Sequence, residues 1–294
     1  MLAFEIGIMA YNEEQNIGKL LSAIEKETFS ETSLREIWVV ASGCTDRTVE
    51  VVKEFSVRDP RVKLLVQEKR EGKSSAVNLW LKNVTADVLI LVSADTLPAN
   101  GSLEKLLWPF RDATIGMTGA RPVPINDPNS FLGYAAHLMW DLHHRISLEN
   151  PKMGEMVAFR NIIREIPADS AVDEASLEAA ITSRGYKIQY VPEAIVRNKG
   201  PETLGDFVRQ RRRIYAGHLS LRQKNYIVST LSVSRILKLL FSSGNFSWRT
   251  VIYAPFVALL EAWSRLLGWY DSRVRKTEPR IWKVAKTTKN LNLR

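Results

Sequence analysis

The sequence predicts an α/β fold organised around an open, mainly parallel sheet. Apolar, β-rich runs at Ala3–Met9, Glu36–Val40, Val62–Gln67 and Val88–Val92 alternate with amphipathic stretches near Glu14–Glu27, Asp46–Val57 and Lys73–Lys82. Short continuous apolar runs separated by helix-length segments are the pattern of parallel strands buried on both faces. At 294 residues, 45% hydrophobic and 25% charged, the chain can bury a proper core for one large domain with an appendage, or for two small domains. Each of the four apolar runs is followed by a polar segment: AYNEE, ASGCTDRT, KREGKSSA and SADT. In doubly wound sheets ligands bind beyond the carboxyl ends of the strands, so these four tips are expected to converge on one site.

Taken in order, the opening MLAFEIGIMA lacks a basic stretch before its apolar run and reads as a first strand, not a signal peptide. The region 98–170 is expected to be less regular, with prolines at 122, 124, 128, 151 and 167 and a helix from Pro128 to about Leu148. A helix at Glu174–Ser183, a strand at Lys187–Val191 and a helix at Leu204–Gln223 follow, the last carrying Arg209, Arg211, Arg212 and Arg213. From about residue 230 the pattern changes. Leu231, Val233, Ile236, Leu237, Leu240 and Phe241 recur at helical spacing, then Ile252, Phe256, Leu259, Leu260, Trp263, Leu267 and Tyr270, with Ala258, Glu261 and Arg265 opposite. The uninterrupted apolar runs fall short of a spanning helix, so amphipathic helices on a membrane surface are expected, with packing on the domain or a partner, and a true span, as the other readings. The boundary is placed between a domain at 1–225 and a basic helical region at 226–294.

The net charge of +9 favours an anionic partner: phosphorylated ligands, an anionic membrane or nucleic acid. Ser272–Arg294 holds eight Lys/Arg against one acid, which also suits a solvated helix face. No helix-turn-helix or RNP-like pattern supports nucleic acid, and none is expected as a partner. The single cysteine, Cys44, excludes an intramolecular disulfide framework and fits a reducing compartment.

A carboxylate at a buried strand end, Asp95 in SADT, can hold a hard cation bridging a diphosphate; an isolated Asp before Pro98 reads equally as a turn cap. Arg70, Gly72 and Lys73 stand at a strand-to-helix turn where backbone N–H groups and a lysine can meet phosphate, without Walker A spacing. Asn12 and Glu13 can cap a helix or read a nucleoside, and Ser42, Gly43, Thr45 and Asp46 resemble a tight turn with a cap. Asp173 and Glu174 open a helix, either as complements to its dipole or as a general base; Glu178, one turn on, is expected to face solvent. His137, Asp141 and His144 share one helix face. They could bind zinc, line an acceptor groove or simply pack, and no zinc-type spacing supports the first.

The ordered series AYNEEQNI, VVASGCTDRT, REGKSSAVN, SADT, GEMVAFR, VDEASLE and QRRRI resembles the family 2 glycosyltransferases over roughly residues 1–217. The resemblance implies the GT-A fold, a three-layer α/β/α sandwich with a mainly parallel sheet. It implies a nucleotide-diphospho-sugar donor, Mg²⁺ or Mn²⁺ at Asp95, and inverting transfer; the acceptor expected is a hydroxyl or lipid phosphate, on a glycan or lipid-linked molecule at the membrane surface, and a phosphate would need no base. Tyr11, Asn12 and Glu13 would contact the nucleoside, Lys73 the nucleoside or diphosphate, and Asp173 or Glu174 would supply the base, Glu174 by its spacing to Leu177. Gln210 and Arg213 match the QxxR part of a motif of chitin, cellulose and hyaluronan synthases; Ser42, Arg70, Ser93, Gly154 and Glu155 complete the expected substrate-binding set. The series departs from the family at Ala41 and Ser42, at Ser93 in place of the first acid of DxD, and at Ile214 in place of Trp. The expected location is the cytoplasm, peripheral on the membrane face. A non-catalytic sugar-nucleotide sensor or membrane scaffold on the same fold, and a nucleotidyltransferase, are the alternatives.

Overall fold

The computed structural model describes residues 1–167, 173–223, 248–275 and 285–291. Its strands are β1 (Leu2–Ala10), β2 (Thr32–Ser42), β3 (Val62–Gln67), β4 (Val88–Ser93), β5 (Thr96–Pro98), β6 (Ile115–Pro124), β7 (Met156–Arg160) and β8 (Lys187–Asn198). Its helices are α1 (Ile17–Glu25), α2 (Thr48–Arg58), α3 (Lys73–Leu81), α4 (Ser102–Leu107), α5 (Phe131–Glu149), α6 (Asp173–Thr182), α7 (Leu204–Gln223) and α8 (Trp248–Tyr270). One eight-stranded sheet runs β3-β2-β1-β4-β7-β6-β8-β5. The β3-β2-β1-β4 half is parallel, as the apolar runs predict, and β7 enters antiparallel beside β4. Because Met9 is level with both Val40 and Ser93, the carboxyl ends of these strands share one edge.

The two sheet faces carry separate cores. On one, Ile17, Leu20, Leu21 and Ile24 of α1 follow i, i+3, i+4, i+7 spacing and pack over Ile6, Ile8 and Val39. Each such side chain, fully buried, contributes about 1.5–3 kcal/mol. On the other face Trp80 lies across Gly7, where a Cβ would come within 2.4 Å of its ring, and meets Phe159 edge-on at 6.1 Å. The buried Glu5 carboxylate accepts hydrogen bonds from Trp38 Nε1, the backbone N–H groups of Thr85 and Ala86, and Thr85 Oγ1, so its burial leaves no unmet acceptor.

Where the sequence suggested irregular chain, β5, β6 and β7 form. Pro122 and Pro124 lie in β6 beyond Gly119, where β8 is its neighbour and the β7 ladder has ended. A missing N–H is tolerated at such a half-paired edge. The strand expected at Lys187–Val191 continues to Asn198 through a register shift between Val191 and Ile195 that absorbs Pro192.

The apolar segment after Trp248 also differs from expectation. The apolar runs looked too short to span a membrane, yet the helical stretch Trp248–Arg275 is long and apolar enough by length and composition, an 18-residue window within it reaching a mean hydropathy of 1.3. Its docked face is the small and polar one. Val257, Ser264, Gly268 and Asp271 are buried, and a Cβ on Gly268 would sit 2.8 Å from the Arg212 carbonyl of α7. Glu261 accepts from Arg211 at 2.7 and 2.8 Å and from Arg265 at 2.8 Å, and Arg212 pairs with Asp271. The stripe Ile252, Phe256, Leu259 and Trp263 points outward, Leu259 at 67% exposure. The stripe 231–241 lies outside the described residues.

Candidate active site

The four polar strand tips converge, as expected, on a cleft of about 500 Å³. Tyr11, Glu13, Ser42, Arg70, Lys73, Ser93, Asp95, Gly154, Glu155, Asp173, Glu174, Gln210 and Arg213 all line it. Asn12 is not among the lining residues. Its carboxamide braces the next loop, accepting from the Thr45 N–H at 2.8 Å and donating to Thr45 Oγ1 at 3.2 Å, from a left-handed backbone (φ 53°). Asp46 closes that loop by accepting from the N–H of Thr48 and of Glu14. Gly43 (φ +63°) lets the chain turn against Arg70, whose backbone nitrogen would lie 2.4 Å from an added Cβ.

Lys73, at the first turn of α3, is the electrostatic centre. Its ammonium lies 2.7 Å from Asp173 Oδ2 and 2.7 Å from Glu174 Oε1, and donates to Ser93 Oγ at 3.1 Å. It is therefore engaged by the carboxylates that open α6. Burial opposes its charge, but the two carboxylates prevail and raise its pKa above the usual lysine value. Burial also works against Glu174, and Lys73 overrides it, holding Glu174 below the usual carboxylate range. Asp173 moves the other way: burial and the neighbouring Glu174 charge raise it, despite Lys73.

A second carboxylate group lies at the ends of β4 and β7. Burial, then Asp95, then Glu174 push Glu155 up to about 7; its residue has φ 50°, and Asn198 Nδ2 donates to Oε1 at 3.2 Å. Asn198 Oδ1 is buried without a hydrogen-bond partner among the described residues. Glu13 is likewise pushed up to about 7, by burial and then Asp95, against the pull of Lys289. These are hard oxygen donors with too little positive charge among them.

The far end of the cleft was not foreseen. Met139, Trp140 and His143 of α5, Lys152, Met153, and Arg211 and His218 of α7 line it. Burial and then the Lys152 charge push both His143 and His218 down to about 4, so both are neutral at pH 7; His143 Nδ1 has no hydrogen-bond partner among the described residues. Glu178, expected in solvent, lines this end and accepts from the Met153 N–H at 3.5 Å, with its pKa raised by burial. One helical turn after Glu174, it shares that residue's face, which was the available signal. The trio His137, Asp141 and His144 forms no common centre. His137 bonds the Asn126 carbonyl, Asp141 pairs with Arg145, and His144 bonds Tyr190 Oη.

An α/β sandwich whose parallel strand tips gather carboxylates and cations in one cleft is the GT-A arrangement of nucleotide-diphospho-sugar transferases. Solved structures bear this out: a mannosyltransferase from Pyrobaculum calidifontis in complex with GDP-Man and Mn²⁺ matches with a TM-score of 0.65 at 17% identity, over 93% of this chain and 88% of that one. Glucosyl-3-phosphoglycerate synthase from Mycobacterium tuberculosis, in complex with Mn²⁺, UDP and glucosyl-3-phosphoglycerate, matches with a TM-score of 0.54 at 16% identity, over 74% of this chain and 79% of that one. The chain belongs to glycosyl transferase family 2, whose sequence model matches residues 5–167; that of glycosyl transferase family group 2 matches residues 88–270. Among curated relatives, the glycosyltransferase AglE of Haloferax volcanii is 26% identical over 54% of this chain and 49% of its own length. Poly-beta-1,6-N-acetyl-D-glucosamine synthase of Staphylococcus aureus is 24% identical over 78% of this chain and 57% of its own length. The chain thus spans about half the length of the curated relatives it matches.

Proposed function

We propose that the chain transfers a sugar, with inversion, from a nucleotide-diphospho-sugar to an acceptor presented at a membrane surface, using Mg²⁺ or Mn²⁺. The observation that carries this reading is the single cleft holding Asp95, Glu155 and the Lys73–Asp173–Glu174 cluster in a family 2 chain.

The residues fit a divalent cation. Asp95, the crowded Glu155 and the unpartnered Asn198 Oδ1 are hard oxygen donors, and among the described residues no group of three or more His, Cys, Asp or Glu could hold a metal. A site with one or two protein carboxylates, completed by substrate phosphates, suits Mg²⁺ and Mn²⁺. When bound, the cation would neutralise charge on the departing nucleoside diphosphate.

The chain's own groups do the rest. Tyr11 and Glu13 line the nucleoside end, and Gln210 and Arg213 of α7 face the same space, Arg213 adding charge against the leaving diphosphate. Asp173 and Glu174, both within 2.7 Å of Lys73, are the candidates for the general base, Glu174 by its spacing to Leu177, and Lys73 positions the pair. The neutral His143 and His218 with Trp140 form the acceptor end, able to bond hydroxyls without adding charge.

The outward apolar face of α8 supports membrane contact. It borders a groove lined by Phe131, Leu204, Ile252, Tyr253, Phe256, Leu259, Leu260 and Trp263. Because Glu261 and Gly268 dock on α7, whose Gln210 and Arg213 line the cleft, a helix lying along the cytoplasmic membrane face would hold the catalytic domain next to that surface. The helix belongs to a helical, basic region at 226–294 that follows a catalytic domain at 1–225; within it the membrane contact falls to α8, while Thr288 and Lys289 line the cleft. A lipid-borne acceptor would then reach the cleft from that surface.

Thermal melting against a panel of UDP-, GDP- and other sugar nucleotides with Mn²⁺ tests the donor. A ligand at 100 times its Kd adds about 2.7 kcal/mol to folded-state stability. At least one donor should raise the Tm in a metal-dependent way; a flat panel contradicts the reading.

A further inference from the structure

The basic tail looks from its sequence like a solvated or membrane-binding face, but part of it is turned inward. Residues 285–291 cross from the start of α7 to the loop after β1. At one end Thr287 donates to Asp206 Oδ2 through its N–H at 3.0 Å and its Oγ1 at 2.8 Å, and the Glu202 N–H donates to Thr287 Oγ1 at 3.1 Å. At the other, Asn16 reads the strap's backbone in both directions: Nδ2 donates to the Lys289 carbonyl at 2.7 Å, and Oδ1 accepts from the Leu291 N–H at 3.0 Å. Lys19 Nζ adds a bond to the Leu291 carbonyl at 2.7 Å, and the Leu291 side chain is 2% exposed.

Between these anchors Lys289 lines the cleft. Its ammonium donates to the Tyr11 carbonyl, to the Asn12 carbonyl at 3.1 Å and to the Glu13 carboxylate, and lies 5.4 Å from the centre of the Tyr11 ring. Arg70 stands over the same ring at 4.0 Å. Two carbonyls and a buried carboxylate thus converge on one point, from a loop that includes the left-handed Asn12. Asn16 Nδ2 donates to Glu13 Oε2 at 2.9 Å, which leaves Glu13 Oε1 and the two carbonyls as acceptors that are unfavourable to crowd together without a shared donor. An ammonium, with three N–H groups, matches them.

We propose that residues 285–291 are a clasp that shapes the nucleoside end of the donor cleft, with Lys289 as a positioning residue holding the Tyr11–Glu13 loop in its donor-binding form. The inference rests on the donor reading above. It joins the loop after β1 to α7, so both walls of the nucleoside pocket depend on a segment remote in sequence from each.

The test uses the full chain with Lys289→Met, Lys289→Arg and Leu291→Asp, titrated calorimetrically with UDP and GDP in Mn²⁺ and melted without ligand. Lys289→Met and Leu291→Asp should each weaken nucleotide binding about tenfold or more, in the range seen when supporting partners of a site are lost, while Tm moves by only a few degrees. Donor KM should rise by the same factor with kcat at saturating donor nearly unchanged, and Lys289→Arg should recover most of the affinity. Unchanged binding in either disrupting variant overturns the clasp. Tighter binding also overturns it, making the strap an occluder. If the unaltered chain binds no sugar nucleotide or nucleoside diphosphate, the donor reading itself falls and takes the clasp with it, so the two failures are distinct.

Discussion

Lys73→Met removes the only cation in contact with both Asp173 and Glu174 among the contacts described above, and the structure sets the size and pH dependence of the result. The two carboxylates are 3% and 19% exposed and each lies 2.7 Å from the ammonium, so the variant leaves two adjacent, nearly buried negative charges. Breaking a buried pair by removing one partner costs about 3–5 kcal/mol. Lys73 itself retains 31% exposure, which places the expected loss near the lower end, about 3 kcal/mol. The sign with pH follows from linkage. Without the lysine, burial and mutual repulsion raise both carboxyl pKa values above their unfolded values, so the native state holds more protons and its stability falls as pH rises. The deficit against the unaltered chain should therefore be largest near neutrality and shrink toward pH 5. Urea unfolding followed by tryptophan fluorescence at both pH values reads it. A loss below about 1 kcal/mol, or one equal at both pH values, refutes Lys73 as the counter-charge. Adding Glu174→Gln to Lys73→Met should return part of the loss.

Glu261→Gln strands Arg211 and Arg265 against each other in the α7–α8 seam, and should cost about 3 kcal/mol and expose α8 to limited proteolysis. Burial works against the Glu261 charge, but Arg211 and Arg265 pull its pKa down to about 2. The seam's contribution should therefore be present above about pH 4.5 and fade as acid titration approaches pH 2; an acid melt that leaves α8 docked contradicts it. Gly43→Ala forces a Cβ to within 2.4 Å of the Arg70 backbone at φ +63°, and should weaken nucleotide binding while costing about 1–2 kcal/mol of stability; unchanged values on both contradict the close approach.

The parallel half of the sheet was legible because apolar runs and helical stretches alternate cleanly through the first hundred residues, and the strand tips then located the cleft. β6 and β7 were not, because Pro122 and Pro124 read as breakers, and only the three-dimensional neighbours show that β6 is paired on one side there. The periodicity of α8 separated its two faces but could not say which one docks. The small and charged seam of Val257, Glu261, Ser264 and Gly268 won because Gly268 allows close helix approach and Glu261 meets two arginines. Asp173, Glu174 and Lys73 were each visible, but their mutual contact brings together residues from separate segments and has no local signature. His143 was passed over for its neighbours on the helix, and Lys289 was hidden in a charge run whose composition suits a solvated face.

On the proposed function, Asp95 holds a divalent cation against a nucleoside diphosphate in this cleft. Calorimetric titration of UDP and GDP with and without Mn²⁺, for the unaltered chain and Asp95→Asn, decides whether it does. Mn²⁺ should tighten binding of at least one nucleotide about tenfold or more in the unaltered chain, an advantage that EDTA abolishes and Asp95→Asn lacks. Metal-dependent binding of the same strength in Asp95→Asn would contradict it.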